Sequence, residues 1–383
     1  MTHTFSSASV SKFSKFLLLL ILSGCPSYFL LGQNQQGQVT YTLYLVGDSG
    51  EPEIKQHPLG GILRQQIKES GANTTLVYLG DNIYPNGMPD RGHKDRLEAE
   101  EIMMAQTNWI QGLDATGIFV PGNHDWKRGK RNGLSSIKNQ QEWLDSLHQK
   151  TITLLPRDGC PGPVEIPLGD KAVLVVLNTQ WFLHRWEKPT AGECVAGSSG
   201  EVFARLGEIF KRNDGKRIIL AAHHPIATYG EHGGIFPLKQ HIFPLTALSP
   251  MLYVPIPIIG SIYPFYRKWI GDYQDIAHPT YREMIASIEK VMQQYPGNIY
   301  VAGHEHALQY ILKDGSYFIG SGSGSKTSFV KKKEFARVAQ AVNGFVKLKI
   351  YEDGCINIGF WQVDESYREG KEIFTDTMPY GRH

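Results

Sequence analysis

The sequence predicts an α/β fold in which buried, mostly parallel strands alternate with helices. Continuous runs of Val, Ile and Leu recur along the chain, as in residues 172–178 (AVLVVLN) and 217–222 (RIILAA), and they lack the polar alternation of a strand with one exposed face. Segments in which apolar residues have helical spacing lie between these runs. This order of elements is typical of a sheet covered by helices.

The predicted elements follow one another in a regular order from residue 41. Strands are assigned where a short apolar run ends in Gly or a polar loop, and helices where apolar residues recur every three or four positions. The strands are 41–46, 75–79, 117–120, 172–178, 217–222 and 298–302, and the helices are 62–70, 95–113 and 281–294. The tail, 344–364, predicts a hairpin that turns at Asp353-Gly354.

Size, charge and cysteine content argue against several classes of protein. The 383 residues suit one large domain or two small ones, and a content of 41% hydrophobic and 20% charged residues excludes a disordered chain. The 39 basic and 37 acidic residues leave a net charge of +2, so no nucleic-acid partner is expected. Four Cys without a CxxC pair argue against a structural zinc ribbon.

The first 32 residues predict an export signal, and residues 33–39 predict a polar linker. A basic start and an apolar run at 16–22 lead into LSGC, which resembles a bacterial lipobox with Cys25 as the lipidated residue. The alternatives are cleavage near Gly32 and an uncleaved anchor, which the interrupting Pro and polar residues disfavour. All three place the protein outside the cytoplasm, as a membrane-anchored lipoprotein on the periplasmic or outer-membrane face or as a secreted protein.

Five polar loops directly follow predicted strands. They read GDSG at 47–50, GDNIY at 80–84, GNHD at 122–125, HHP at 223–225 and GHEH at 303–306. Open α/β sheets bind ligands at the carboxyl ends of their strands, so we expect these loops to converge on one crevice. A single GD or GH pair carries little information, but five of them at the ends of five strands indicate a functional site.

The side chains in these loops form a set of oxygen and nitrogen donors. The candidate metal ligands are Asp48, Asp81, Tyr84, Asn123, His223, His304 and His306. A set without thiolates fits a hydrolase with two metal ions better than a structural zinc. Asp48 and Asp81 in one cleft would repel each other, and two ions bridged by a carboxylate would remove that cost.

The motifs together resemble those of the calcineurin-like metallophosphoesterase superfamily, and most closely those of purple acid phosphatases of the small, mammalian (tartrate-resistant) type. The match runs from residue 40 to the C-terminus and includes Glu231-His232-Gly233 and Leu308-Gln309-Tyr310. It implies a four-layer α/β/β/α sandwich with a di-metal site at the C-terminal ends of the strands. The catalytic domain would then occupy 40–383, with an apolar, Pro-rich insertion at about 236–275.

One position separates the purple branch from other members of the superfamily. Other members carry GDxH, whose His binds the first metal, whereas this chain has Gly50 there. The resemblance implies that Tyr84 replaces that His, and a phenolate favours Fe(III). By the resemblance, Asp48, Tyr84 and His306 would bind Fe(III). Asn123, His223 and His304 would bind a second ion, which is divalent (Fe, Zn or Mn). Asp81 would bridge the two ions. Ser49 stands where the family usually has a Trp that binds no metal.

Three further residues are candidates for catalysis. His124 follows the ligand Asn123 and would face the substrate, and Asp125 would hold its imidazole in place. His232 resembles the substrate-side His of the family, which steadies the phosphate or protonates the leaving alkoxide. His224 is as well explained by a structural role.

The activity that the resemblance implies is hydrolysis of a small phosphomonoester by a metal-bound hydroxide. The alternatives are a phosphodiesterase or nucleotidase of the same superfamily and a non-catalytic surface lipoprotein on this fold. We further expect a monomer. Cys160 and Cys194 lie in Gly- and Pro-rich loops of an exported chain, which favours a disulfide between them.

The insertion contains an unusual apolar stretch. Residues 242–266 include five Pro and no charged residue. Five Pro exclude a continuous transmembrane helix. The stretch could form a flap over the active site, a loop resting on a membrane or a partner-binding surface, and we favour the flap.

Overall fold

The computed structural model describes residues 37–247, 251–364, 366 and 369–380. The predicted export signal, the lipobox at Cys25 and most of the polar linker lie outside these residues. Within the described part, no helix combines the length and the apolarity needed to cross a bilayer. Cys160 and Cys194 form a disulfide, and Cys355 is a free thiol.

Fourteen strands of the described residues form two seven-stranded sheets. In chain order the strands are β1 (Val39–Val46), β2 (Thr74–Tyr78), β3 (Thr116–Phe119), β4 (Ile152–Leu154), β5 (Val164–Leu168), β6 (Ala172–Val176), β7 (Arg217–Ala221), β8 (Ile299–Ala302), β9 (Leu308–Lys313), β10 (Ser316–Ser321), β11 (Ala336–Gln340), β12 (Gly344–Tyr351), β13 (Ile356–Gln362) and β14 (Lys371–Met378). The first sheet has the order β14-β13-β12-β1-β2-β3-β4, and the second has the order β11-β9-β10-β8-β7-β6-β5.

The described residues form eight α-helices, and most of them pack on the outer faces of the sheets. They are α1 (Leu59–Ser70), α2 (Arg96–Thr107), α3 (Gly133–Ser146), α4 (Thr179–Leu183), α5 (Ser199–Arg212), α6 (Leu238–Ile242), α7 (Ile262–Trp269) and α8 (Pro279–Met292). The helix predicted at 95–113 ends early, at Thr107. The hairpin predicted around Asp353-Gly354 is confirmed, because β12 and β13 pair on either side of it.

Three buried clusters show the layers. One joins β1, β2 and β3 to α1, α2 and α3, and another joins β6, β7 and β8 to α5 and α8. The third lies between the sheets and contains Leu45 and Val77 from one sheet and Leu174 and Val301 from the other. The expected four-layer α/β/β/α sandwich is therefore confirmed.

The expectation of mostly parallel strands is wrong in its proportions. Each sheet has three parallel and three antiparallel pairings. The strands β2, β6 and β7 are buried along their whole length. Strand β2 pairs in parallel with β1 and β3, and strand β7 pairs in parallel with β6 and β8, as their apolar runs predicted. In the first sheet the antiparallel pairings occupy the half from β14 to β1, and β14 is partly exposed. In the second sheet they lie at both ends, among β11, β9 and β10 and between β5 and β6.

Candidate metal centre

The five polar loops converge, as predicted, at the carboxyl ends of five strands. The loops follow β1, β2 and β3 in the first sheet and β7 and β8 in the second. Asp48, Asp81 and His304 have positive φ angles of 57°, 53° and 66°, which non-glycine residues rarely adopt. Such backbone conformations persist where the surrounding structure holds them, and they cluster at functional sites.

The first group of donors surrounds the hydroxyl of Tyr84. This oxygen lies 3.0 Å from Oδ1 of Asp48 and 3.1 Å from Oδ2 of Asp81. The Nε2 atom of His306 lies 3.4 Å from the same hydroxyl and 3.4 Å from Oδ1 of Asp48. One phenol, two carboxylates and one imidazole therefore meet at one point.

The second group is a set of converging lone pairs. His223 Nδ1 lies 2.7 Å from the carbonyl oxygen of Leu79, and His304 Nε2 lies 2.9 Å from that of Gln274. A carbonyl oxygen only accepts, so each of these nitrogens donates, and the other nitrogen of a neutral ring carries a lone pair. Burial lowers the pKa of His304 and keeps its ring neutral.

The free nitrogens of these two rings face each other. His223 Nε2 lies 3.2 Å from His304 Nδ1, and the two atoms lie 2.9 and 3.1 Å from Oδ1 of Asn123. Three acceptor atoms directed at one point repel one another unless a cation lies between them. These three atoms therefore fit a metal ion.

Asp81 connects the two groups. Its Oδ2 atom contacts Tyr84, and its Oδ1 atom lies 3.4 Å from His223 Nε2. A carboxylate in this position can bind one ion through each oxygen. Asp81 therefore lies where the bridge expected of it would have to be, and its bridging role stays a prediction.

The electrostatics of the site also favour cations. Burial raises the pKa of the Asp48 carboxyl to about 7. Burial and the two adjacent carboxylates raise the pKa of Tyr84 well above its usual range, so the phenol keeps its proton. Burial and the Lys326 ammonium lower the pKa of His306 to about 4, which leaves that ring neutral and able to bind a metal. Positive charge at this point would favour ionisation of the Asp48 carboxyl and of the phenol.

Sterics explain why Gly50 carries no ligand. A Cβ atom at Gly50 would lie 2.5 Å from the backbone nitrogen of Ile83 and 2.7 Å from the carbonyl oxygen of Asp81. The Tyr84 amide also donates to the Gly50 carbonyl at 2.9 Å. The first loop therefore packs directly on the second, and Tyr84 supplies the side chain that position 50 cannot.

A model of the calcineurin-like phosphoesterase family matches residues 42–308. The chain belongs to this family. Hydrolysis of phosphate esters with two metal ions is the chemistry of the family, and the two donor groups agree with it. No curated protein sequence matches the chain significantly.

Several solved structures share the fold over 89% of this chain. One is GAP50, the anchor in the inner membrane complex of Plasmodium, with a TM-score of 0.54, 15% identity and 89% of that chain covered. A second is purple acid phosphatase PPD1 from yellow lupin (Lupinus luteus) seeds, with a TM-score of 0.52, 11% identity and 54% of that chain covered. A third is PhoD, with a TM-score of 0.54, 10% identity and 70% of that chain covered. This chain spans about half the length of the lupin protein. At these identities the likeness is one of fold.

His124 lies at the site, but Asp125 does not hold it. The Nδ1 atom of His124 lies 2.7 Å from the carbonyl oxygen of Pro85, which orients the ring. The buried carboxylate of Asp125 instead accepts hydrogen bonds from the amide nitrogens of Asn82 and Gly122, at 3.0 and 2.8 Å. Asp125 therefore joins the second and third metal-binding loops, a structural role in place of the catalytic role expected for it.

His232 stacks on a metal-site residue and is held by an acid that the sequence did not reveal. Its ring centre lies 3.9 Å from that of His304, and its Nδ1 atom lies 3.1 Å from Oδ1 of Asp275. Asp275 is fully buried and also binds Arg267. Asp275 lies in a loop without a recognisable motif, so only the structure brings it to the site.

Glu305 is a second residue that sequence analysis missed. It lies between two predicted ligands in GHEH, and its buried carboxylate accepts from the amide nitrogens of Glu231 and His232, at 3.1 Å each. It thereby ties the His232 loop to the loop that carries His304. By contrast, His224 has both ring nitrogens bonded, to Thr179 and Gln274, which agrees with a structural role.

A cavity of about 310 Å³ opens beside the two donor groups. Its lining includes Asp81, Asn123 and His304 from the donor groups, together with His124, His232 and Arg128. The insertion supplies Tyr263, Tyr266 and Arg267, which all belong to α7. The insertion therefore borders the active site, as a flap would.

Proposed function

We propose that this chain is an exported phosphatase that hydrolyses phosphomonoesters with Fe(III) and a second divalent ion (Fe, Zn or Mn). The observation that carries the proposal is the position of the Tyr84 hydroxyl, within 3.4 Å of Asp48, Asp81 and His306. Gly50 excludes the His that other members use there, and a phenolate is a strong ligand for ferric iron. Asn123, His223 and His304 would hold the divalent ion, and Asp81 would bridge.

When bound, two such ions supply positive charge that polarises a phosphate and acidifies a water molecule. The chain's own residues would bind the phosphate and donate the proton. His232 lines the cavity. In the doubly protonated ring, Nδ1–H donates to the Asp275 carboxylate and Nε2–H can pass its proton to the leaving oxygen. His124, which also lines the cavity, would steady the phosphate.

The charge of the cavity supports a monoester substrate. Arg128 and Arg267 line it together with His124 and His232, and so do the acidic residues Asp81 and Asp272. With two metal ions bound, the cavity would carry net positive charge. A phosphomonoester carries up to two negative charges and a diester carries one, so such a cavity would favour the monoester. Tyr263 and Tyr266 support the alternative of a nucleotidase, because their exposed rings could stack on a base.

A second alternative is a non-catalytic surface lipoprotein on this fold. The reason to consider it is that this chain resembles GAP50 in fold, and GAP50 is described as an anchor. The complete set of seven predicted ligands speaks against it, because a protein that has lost catalysis need not keep them.

Turnover of a panel of phosphomonoesters, nucleotides and phosphodiesters tests the proposal. We expect phosphomonoesters to be the preferred class. We expect Asp81→Asn and His304→Ala to lose at least one metal ion and nearly all hydrolysis of every substrate. The matched controls are Asp114→Asn and His93→Ala, which change exposed residues and should keep the full metal content and the wild-type rate of hydrolysis. Wild-type turnover by an Asp81→Asn protein with full metal content would overturn the proposal.

We also propose export and attachment to a membrane through lipidated Cys25, with the catalytic part acting as a monomer. The lipobox-like residues 22–25 support this proposal. Labelled palmitate should enter the wild-type chain, and Cys25→Ala should abolish the label. An unlabelled wild-type protein that is released into the medium would favour cleavage near Gly32 instead.

A further inference from the structure

Part of the insertion exposes an unusual amount of apolar surface. Ile258 is 86% exposed and Trp269 is 67% exposed, and the other members of the group are more than half exposed. We define the insertion surface as Ile258, Ile259, Ile262, Phe265, Trp269 and Ile270. Scattered exposed apolar residues are common, but a contiguous group of this kind marks an interaction site.

Helix α7 shows that this exposure is built into the fold. Pro264 is the one buried residue of α7. Ile262, Phe265 and Trp269 are spaced three and four residues apart, so they share one face of the helix, and that face is exposed. An ordinary surface helix turns its apolar face inward, and α7 does the reverse.

The opposite side of α7 fixes the helix to the active site. Tyr263 and Arg267, one turn apart, line the cavity, and Arg267 binds the buried carboxylate of Asp275. The backbone at Lys268 packs against Gly234, where an added Cβ would lie 2.7 Å from the Lys268 Cα. The insertion surface is therefore held outward by contacts on its other side.

Charge identifies the kind of partner. Residues 232–271 contain no Asp or Glu, whereas Lys239, Arg267 and Lys268 lie among the apolar residues. Lys268 Nζ lies 5.3 Å from the centre of the Trp269 ring, and Lys239 Nζ lies 4.6 Å from that of Tyr253. Apolar and aromatic side chains bordered by cations, without acids, are typical of segments that lie in the interface of an anionic membrane.

We propose that the insertion surface docks on an anionic lipid surface. Docking buries the apolar side chains among the lipids and places the cations beside the head groups. Because α7 also lines the cavity, the opening of the active site then lies next to the membrane. A single lipid chain holds a protein only marginally, so this contact would add a second attachment to the one proposed at Cys25.

Trp269 provides a direct test. The full chain with Cys25→Ala, which has no lipid attached, is mixed with vesicles whose acyl chains carry bromine, a quencher of Trp fluorescence. Residues 1–36 contain no Trp, so quenching cannot come from the N-terminal segment. We expect quenching by vesicles of phosphatidylglycerol and phosphatidylcholine, much less with phosphatidylcholine alone, and a loss of quenching with Trp269→Phe, which keeps an apolar side chain.

A second pair of variants keeps the probe and changes its surroundings. Burial of one large apolar side chain contributes about 1.5–3 kcal/mol, so Ile262→Ser with Phe265→Ser should raise the lipid concentration for half-maximal quenching by about a hundredfold or more. Leu97→Ser with Val195→Ser is the matched control, because both side chains are exposed far from the insertion in sequence. The thermal unfolding midpoint of each variant verifies its fold.

Three results would overturn the proposal. The first is quenching that persists with Trp269→Phe, and the second is equal quenching by vesicles with and without phosphatidylglycerol. The third is an absence of quenching together with a dimer, seen by sedimentation velocity, that Ile262→Ser with Phe265→Ser dissociates. That last result would assign the insertion surface to a second copy of the chain.

Discussion

The ammonium of Lys326 lies 3.3 Å from the centre of the Tyr84 ring. Lys326 is held there by Glu51, whose carboxylate lies 2.8 Å from its Nζ atom. A cation over the ring stabilises a phenolate more than a neutral phenol, because the negative charge of the phenolate extends into the ring. The loop after β10 therefore supplies positive charge to the residue that we propose as the ligand of iron.

This contact predicts a change of colour with Lys326→Met. Charge transfer moves an electron from the phenolate to Fe(III), and a nearby cation makes that electron harder to remove. Without Lys326 the visible band should move to longer wavelength, while the iron content stays the same. Lys331→Met, which removes an exposed lysine, should leave the band unchanged. An unshifted band in the Lys326→Met protein would mean that the cation does not act on the metal ligand.

Tyr84→Phe tests the ferric assignment itself. The wild-type protein should be pink to purple and active below neutral pH, since ferric iron is a stronger Lewis acid than a divalent ion. The variant should lose the colour, while circular dichroism shows an unchanged fold. A colourless wild-type protein with two divalent ions and no iron by elemental analysis would refute the assignment, although phosphoesterase chemistry would survive that result.

The sequence predicted that these polar residues lie close together, because of where they stand in the order of elements. Asp48, Asp81, Asn123, His223 and His304 follow strands that end at one edge of the fold, so the order of elements alone brings them together. Asp275 and Glu305 were missed as partners of His232, since their contacts depend on the fold of the insertion and of a distant loop. The role expected of Asp125 was wrong for the same reason, because adjacency in sequence did not set the direction of its side chain.

Some features of the fold have no local signal in the sequence, and one feature has a signal that the sequence analysis missed. The antiparallel pairing of β1 with β12 joins residues about 310 positions apart, such as Val39 and Tyr351, and no local pattern reports it. Helix α5 was overlooked although its start has a readable signal, the capping box of Ser198 and Glu201. The composition of the insertion excluded a transmembrane helix, but whether its apolar side chains were buried depended on packing that the sequence does not display.

Gly50→Ala tests the packing between the first two metal-binding loops. The new methyl group would meet backbone atoms of Ile83 and Asp81, which cannot move aside as a flexible side chain would. Overpacking of this kind costs about 1–3 kcal/mol, and the shift of Asp81 should also weaken metal binding. Urea unfolding and metal analysis measure both effects.

Gly61→Ala is the control for that substitution. Gly61 lies in α1, with nothing within 4 Å of an added Cβ, so Ala there should be neutral or stabilise the protein by up to about 1 kcal/mol. If Gly50→Ala were as stable and as active as Gly61→Ala, the loops would not be packed as described.

His232→Ala tests proton donation to the leaving group. The ring does not belong to either donor group, so the variant should keep both metal ions. Loss of a general acid lowers turnover by about 10²–10⁴-fold, and this loss should appear with alkyl phosphates, whose leaving oxygen needs a proton. Aryl phosphates with acidic leaving groups should be affected far less.

Asp275→Asn tests whether the contact with Asp275 positions the His232 ring, because the variant keeps the ring and weakens its support. The amide oxygen of the new side chain could still accept a hydrogen bond from Nδ1, but a neutral amide would bind Arg267 less strongly, so the imidazole and α7 should both be held more loosely. We expect a smaller fall in kcat than with His232→Ala, again largest for alkyl phosphates, and a rise in KM as Arg267 moves in the cavity. An equal loss for alkyl and aryl phosphates in both variants would show that His232 steadies the phosphate and does not protonate the leaving oxygen, because phosphate binding is common to all esters whereas the need for a proton is not.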